Sequence, residues 1–310
     1  MTDNSNLVAV FAALFASAVL SFSDNFVAAV SQEAGLWQFQ VTRTLIAVPV
    51  IVLLAYLFGV PLRVRSMARL ALRSLVISVG LLMYFASLGF LPVAQAGAGL
   101  FSSPIWVLVF AVIFLGKRVN IWQVTAMGLG FSGVLMLLQP DLSDASLLLL
   151  LPLASGALYG LGALVTKHLC QNENAPTLAV GVFSAMGLIS LVLLIYFTAF
   201  PPQSDDAPFF ARGWEGVSNR FLLLTFCQSL AAVAAVVVIA QAYRVGEPAF
   251  VAVCEYSFLV FAAIWTFLLW GETTNDLAVG GIIAILVAGI SMFFLSRNVK
   301  ANPANTSPNT

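Results

Sequence analysis

The most regular feature of this chain is a succession of apolar runs, each about twenty residues long, separated by polar connections. A helix of that length crosses the hydrocarbon core of a bilayer, which is about 30 Å thick. Most connections are short and carry Gly, Pro, Asn or Asp, which end helices. The pattern predicts an all-α membrane protein of about ten transmembrane helices. We place them at residues 7–28, 36–59, 69–89, 92–115, 122–138, 147–169, 176–199, 221–243, 248–270 and 278–296.

Two polar segments and the first apolar run need separate interpretation. Residues 200–219 form the longest connection and are polar enough to lie in water, and residues 301–310 contain only Ala, Asn, Pro, Ser and Thr, which predicts a disordered tail. The first run resembles a secretory signal, but no Lys or Arg precedes it. We therefore expect it to be the first transmembrane span.

Composition supports the membrane interpretation and excludes several classes of function. Of the 310 residues, 61% are hydrophobic and 8% are charged, with a mean hydropathy of +1.02. Soluble chains carry about a quarter charged residues, so a lipid bilayer is the expected surrounding. Basic and acidic residues balance at 13 each, which gives no indication of a nucleic-acid partner. The three cysteines lack a CxxC spacing, and we expect neither a metal nor another cofactor.

The distribution of Lys and Arg predicts the orientation, because basic residues are retained on the cytoplasmic side. With the N-terminus inside, only two basic residues, Arg212 and Arg220, fall outside, and Arg43 falls within a span. We therefore expect a multi-pass protein of the bacterial inner membrane with both termini cytoplasmic. The residues assigned to the cytoplasmic side are Arg63, Arg65, Arg69, Arg73, Lys117, Arg118, Lys167, Arg244, Arg297 and Lys300.

The two halves of the chain resemble each other at a separation of 155 residues. This shift pairs Ala94 with Ala249, Ser102 with Ser257, Gly116 with Gly271 and Asn120 with Asn275. Each block holds a helix start rich in small residues, an apolar span, a glycine turn and another span. We therefore predict one five-helix repeat at residues 1–140, a second at 141–298, and a disordered cytoplasmic tail at 299–310.

An odd number of spans in each half inserts the second repeat upside down relative to the first. Two similar units of opposite orientation can exchange conformations, which closes a central cavity on one side while it opens on the other. The predicted mechanism is therefore transport by alternating access.

The end of the first half also resembles a known family. Residues 94–119 read AQAGAGLFSSPIWVLVFAVIFLGKRV and are followed by a glycine-rich span. This segment resembles the end of an EamA-type repeat of the drug/metabolite transporter superfamily, and residues 248–289 resemble its second copy. The second copy has the usual Gly271-Glu272 turn, whereas the first has Gly116-Lys117. Arg43 matches an arginine that the family commonly has in the second span.

The resemblance implies ten helices in two inverted repeats, a central cavity, and import or export of a small metabolite. It does not indicate the cargo or the direction of transport. Members of the superfamily carry amino acids, vitamins, nucleotide sugars, adenosylated compounds and hydrophobic cations.

Ionisable groups inside a membrane are costly and therefore candidates for function. Arg43 is a candidate for holding a carboxylate or phosphate of the substrate, or else for a structural ion pair. Glu255 is a candidate for substrate binding and for coupling, by exchange of a proton against a cationic cargo, or else for pairing with Arg43. Leu100 occupies the position equivalent to Glu255 in the first repeat.

Four further side chains are candidates for substrate binding, and each also has a structural alternative. Gln95 offers hydrogen bonds to a substrate or to another helix. Tyr84, Trp106 and Tyr256 favour flat or cationic cargo, although aromatic residues also serve as packing or interfacial anchors. Asp24 falls near the outer end of the first span, where contact with headgroups is the more common role.

The sequence therefore predicts a secondary transporter, a monomer or a homodimer, for an amino acid or a related zwitterion. The alternative cargo is an aromatic or heteroaromatic metabolite such as a vitamin of the riboflavin kind. A membrane enzyme is disfavoured because His168 is the only histidine and no pair of intramembrane carboxylates or phosphate-binding loop is present. A channel is disfavoured because two inverted halves in one chain favour a carrier.

Overall fold

A computed structural model describes residues 3–24, 27–87, 93–117, 120–139, 150–202, 208–271 and 275–301. Every regular element in this part of the chain is an α-helix. The helices are α1 (Asp3–Asp24), α2 (Val27–Ser31), α3 (Leu36–Leu57), α4 (Met67–Ser87), α5 (Val93–Leu100), α6 (Ser103–Leu115), α7 (Ile121–Leu138), α8 (Leu150–Leu169), α9 (Ala175–Ala199), α10 (Asn219–Val245), α11 (Pro248–Cys254), α12 (Ser257–Trp270) and α13 (Asp276–Ala301).

The predicted membrane spans are confirmed. Nine helical segments of the described chain are long and apolar enough to cross a membrane, and the start of α13 adds a shorter apolar helix. The outer surface carries large apolar side chains such as Leu45, Phe58 and Leu188, which are 70%, 77% and 66% exposed. Apolar surface of this extent does not suit water and indicates contact with lipid. The boundary predicted at residue 140 lies outside the described residues. Of the tail predicted at 299–310, residues 302–310 also lie outside them, whereas residues 299–301 continue helix α13.

Two of the predicted spans are broken near their middle, and the breaks occur at equivalent positions. The span at 92–115 divides into α5 and α6, and the span at 248–270 divides into α11 and α12. In the first break the Ser102 hydroxyl donates to the Gly99 carbonyl at 2.6 Å, and in the second the Ser257 hydroxyl donates to the Cys254 carbonyl at 2.7 Å. A serine therefore satisfies a carbonyl at the end of the first helix in each pair, as a bilayer requires.

The ends of the two broken spans are also alike. Gly116 and Gly271, 155 residues apart, both end their helix in the left-handed region, with φ of 60° and 70°. This conformation favours glycine because it lacks a Cβ. Asn120 then accepts from the Trp122 amide at 3.0 Å, and Asn275 accepts from the Ala278 amide at 2.8 Å. The identities in the sequence thus mark the same helix ends in both halves.

The main helix contacts follow the same relation between the halves. Helix α1 packs mainly on α10, and α4 packs mainly on α8. Since α1 and α8 are the first spans of their halves and α4 and α10 are the third spans, exchanging the two halves converts one pair into the other. Helix α3 pairs with α9, and α7 pairs with α13, and each of these pairs corresponds to itself under the exchange. This pattern agrees with a bundle of two similar units.

Connections that were predicted to share a face of the membrane contact each other. On the basic face, the Glu173 carboxylate accepts from the amides of Arg65 and Ser66 at 2.8 and 2.9 Å, and Lys117 pairs with Glu247 at 2.6 Å. On the opposite face, the Trp37 indole donates to the Phe210 carbonyl at 2.5 Å. We call these the inner and outer faces. The alternation of connections is thus the one that the charge pattern predicts.

Close backbone contact fixes α8 against the first broken span. A Cβ at Gly156 would lie 2.4 Å from the Gly99 carbonyl oxygen, and a Cβ at Gly160 would lie 2.8 Å from the Ser103 carbonyl oxygen. Both distances are shorter than van der Waals contact. These glycines therefore allow α8 to approach the break in α5 and α6, as small residues do at helix interfaces in membranes.

We predict that Gly156→Ala lowers the thermal unfolding temperature of the detergent-purified protein, at a cost of about 1–3 kcal/mol, because the new methyl group clashes with backbone. Gly128→Ala is the matched control, since a Cβ at Gly128 meets nothing within 4 Å. Alanine is the better helix former, so this control should be neutral or slightly stabilising. Equal effects of the two substitutions would contradict the close contact.

Candidate functional site

The described chain encloses a cavity of about 160 Å³ where the two broken spans approach each other. Leu100 and Ser103 contribute from the first broken span, and the equivalent positions Glu255 and Phe258 contribute from the second. The Phe101 and Phe258 rings lie 5.5 Å apart across this region. The cavity is therefore built around the two breaks, and its remaining wall comes from α1, α3, α4, α8, α9 and α10.

Glu255 enters the cavity at the end of α11, and two tyrosines hold its carboxylate. The Tyr159 hydroxyl of α8 donates to one oxygen at 2.7 Å, and the Tyr243 hydroxyl of α10 donates to the other. The two rings meet edge to face with centroids 6.4 Å apart. Among the described residues no cation lies within salt-bridge distance of Glu255. The pairing of Glu255 with Arg43, considered from the sequence, is therefore not found in this structure.

Arg43 of α3 lines the same cavity and is 6% exposed. Its guanidinium lies over the rings of Phe39 and Phe183, at 5.9 and 5.5 Å from their centroids, which suits a cation in an apolar environment. One terminal nitrogen donates to the Gln40 side-chain oxygen at 3.5 Å, a long hydrogen bond. The acidic charge that acts on Arg43 is Asp24 at the end of α1, which also lines the cavity.

Arg73 is a cavity residue that the sequence interpretation missed, because we assigned it to the cytoplasmic charges. It lies in α4, is 4% exposed, and lines the cavity. Its Nε donates to the Thr166 hydroxyl at 2.9 Å, and one terminal nitrogen donates to the Leu178 carbonyl at 2.7 Å. The position of the helix start could have revealed this location. The sequence predicts a span that begins at Arg69, but α4 begins at Met67, which places Arg73 nearly two turns into the membrane.

The other predicted binding residues have different surroundings. Tyr84 lines the cavity. Trp106 lies outside its wall, where the indole donates to the Ser102 hydroxyl at 3.1 Å. Tyr256 is fully buried against Gly130. The side chain of Gln95 lies outside the described residues. The roles of these residues in binding stay predictions, and the cavity adds Asp24, Arg73, Tyr159 and Tyr243 as candidates.

Comparison with known proteins supports the resemblance found in the sequence. Residues 5–139, somewhat less than half of the chain, match the model of the EamA-like transporter family. The fold of the chain also occurs in a crystal structure of another protein, which superposes with a TM-score of 0.76 at 15% identity and covers 96% of this chain and 100% of that one. At that identity the likeness shows the fold alone.

Several relatives of this chain are named as transporters of small molecules. A riboflavin transporter of Rhizobium johnstonii is 31% identical over 163 residues, which is 52% of this chain and 54% of that protein. The pseudopaline exporter CntI of Pseudomonas aeruginosa is 28% identical over 265 residues, covering 83% of this chain and 85% of the exporter. An S-adenosylmethionine uptake transporter of Rickettsia prowazekii is 22% identical over 229 residues, covering 73% and 71%. The chain thus spans about half the length of the first relative and most of the other two.

We predict that Glu255→Leu, which introduces the residue of the equivalent first-half position, destabilises the fold. It leaves two phenols of the cavity without an acceptor, at a cost of about 1–3 kcal/mol for each. Adding Tyr159→Phe and Tyr243→Phe removes both orphaned hydroxyls and should recover most of the lost thermal stability. A triple variant no more stable than Glu255→Leu alone would contradict the hydrogen-bonded arrangement.

Proposed function

We propose that this chain is a secondary transporter that moves a small zwitterionic metabolite, such as an amino acid, across the inner membrane by alternating access. The observation that carries this proposal is a cavity at the two broken spans, lined by two acidic and two basic side chains. Asp24, Arg43, Arg73 and Glu255 give this cavity a balanced charge. Balanced charge in a small cavity suits a small solute that itself carries both signs.

An aromatic or heteroaromatic metabolite is the second candidate cargo. Aromatic side chains form much of the cavity wall, among them Tyr84, Phe85, Phe101 and Phe183. Flat rings stack on such walls with favourable energy. The riboflavin transporters among the relatives also favour this class. Four cavity charges are more than a neutral ring system requires, so we rank the zwitterion first.

The family and the cavity favour a carrier over an enzyme or a channel. The named relatives are transporters. A carrier needs a central cavity for its cargo and two similar units that move around it, and the cavity at the two equivalent broken spans supports this interpretation. We propose that both termini are cytoplasmic, since the inner face carries most of the Lys and Arg residues. The chain acts as a monomer or a homodimer in this proposal.

The proposal predicts saturable counterflow in liposomes that contain the purified protein. Vesicles loaded with an unlabelled amino acid should accumulate the same labelled amino acid transiently, because a carrier exchanges cargo across the membrane. A screen of amino acids, riboflavin and polyamines identifies the cargo class.

Protein-free vesicles and vesicles that contain the unfolded protein are the controls. Uptake that is linear in concentration and insensitive to internal cargo would indicate a pore. Exchange of riboflavin without exchange of any amino acid would select the second cargo class.

We further propose that Glu255 couples transport to a proton, because its carboxylate in the cavity accepts from two neutral phenols and forms no ion pair among the described residues. Glu255→Gln keeps the shape of the side chain and removes the titratable group. Counterflow by this variant should then persist, whereas the response of net transport to an imposed pH gradient should be lost. Glu247→Gln on the inner face is the control and should respond like the wild type. An unchanged gradient response in Glu255→Gln would rule out this coupling role.

A further inference from the structure

The four cavity charges divide into two groups at different depths of the membrane. Arg43 is the eighth residue of α3, which begins at the outer face, and this places it about 10 Å inside that end. Arg73 and Glu255 lie about 9 and 10 Å from the starts of α4 and α11 at the inner face. A helix of 22 residues such as α3 is about 33 Å long, so the two groups lie about 13 Å apart in depth.

Each group contains one acid and one base. Asp24 belongs to the outer group because it is the last residue of α1, which ends at the outer face, and it lines the same cavity as Arg43. Arg73 and Glu255 form the inner group, and Tyr159 of the same group donates to Glu255. We call these the outer pole, Asp24 with Arg43, and the inner pole, Arg73 with Glu255. Each pole thus presents both signs of charge to one cavity.

Both poles retain capacity to bind a ligand. In the outer pole the Nε of Arg43 is buried and has no hydrogen-bond partner, and the same holds for the side-chain nitrogen of Gln40, one turn away on α3. Such groups are rare in proteins and call for a ligand or water. In the inner pole Arg73 uses two of the five N–H groups of a guanidinium, and the carboxylate of Glu255 accepts one hydrogen bond at each oxygen.

The relation between the halves also connects the poles. The shift of 155 residues pairs Arg73 of the inner pole with Gln228, which lies on α10 about 14 Å from the outer end of that helix. Exchanging the two halves of an inverted bundle exchanges its inner and outer sides. Equivalent positions on α4 and α10 therefore carry polar side chains toward opposite faces of the membrane.

We propose that the outer and inner poles are two successive subsites for the same zwitterionic head group, each loaded from its own face of the membrane. The ammonium and carboxylate of an amino acid lie within about 4 Å of each other, as ordinary bond lengths dictate. Such a head group cannot reach both poles at once. It meets one acid and one base at either pole. This inference rests on the proposed function and adds to it the residues that recognise the cargo from each side.

The test uses tritiated L-leucine, whose zwitterionic head and apolar side chain match the charges and the wall of the cavity. Right-side-out and inside-out vesicles, prepared from cells that express the full chain, report the half-saturating concentration at each face. Asp24→Asn should raise this concentration about tenfold at the outer face and less than twofold at the inner face. Glu255→Gln should give the converse.

The controls separate recognition from folding. Glu247→Gln changes a half-buried glutamate that pairs with Lys117 at the inner face and does not line the cavity, so it should leave the half-saturating concentration at both faces unchanged. If a carboxamide variant does not reach the membrane, Arg43→Lys and Arg73→Lys keep the charge and remove the forked geometry, and the same sided division is expected. Isoamylamine and 4-methylpentanoate each carry half of the head group, and both should compete far more weakly than L-leucine at either face.

Equal changes at both faces from either variant would show a single subsite and overturn this inference, while transport itself would stand. No change at either face in both variants would also overturn it. If the wild-type protein exchanges neither L-leucine nor another amino acid, the proposed function fails first and the two subsites fail with it.

Discussion

The structure depends on one constraint, which is that a charge or a free backbone group inside hydrocarbon needs a partner from the protein or a polar cavity. At the two breaks the hydroxyls of Ser102 and Ser257 donate hydrogen bonds to nearby backbone carbonyls. The four intramembrane charges meet it by facing a single cavity. The interrupted helices and the charges therefore occur in the same place, which is the site we propose for the cargo.

The two halves are alike in their backbone and different in their charges. Both broken spans have the same serine at the break, the same left-handed glycine at the end and the same asparagine cap on the next helix. Glu255 nevertheless occupies the position equivalent to Leu100 in the first half, and Gln228 occupies the position equivalent to Arg73. Similar backbones allow the units to exchange conformations. The differing side chains give the cavity its chemistry and its distinct inner and outer poles.

Most of the fold could be predicted from the sequence, because apolar runs of membrane length, glycine turns and basic connections are local signals. The partners of the buried charges were not predictable in the same way. Glu255 accepts from Tyr159 and Tyr243, which depends on how α8 and α10 cross the second break. Arg73 is assigned to the cytoplasmic end of a helix from the sequence, because the sequence alone does not show that this helix begins at Met67. Trp106, Tyr256 and Tyr84 are all aromatic residues within spans, so the sequence does not distinguish them. Only the packing of the helices shows that Tyr84 lines the cavity and that the other two do not.

Distances between pairs of spin labels test most directly whether the two halves rock around the cavity. Cysteines at Val64 and Leu169 would report the inner face, and cysteines at Gln32 and Val217 the outer face, in a background without native cysteines. Alternating access predicts two distance populations for each pair, with the inner pair lengthening under conditions that shorten the outer pair. A single distance in each pair, unchanged by L-leucine or by an imposed gradient, would contradict it.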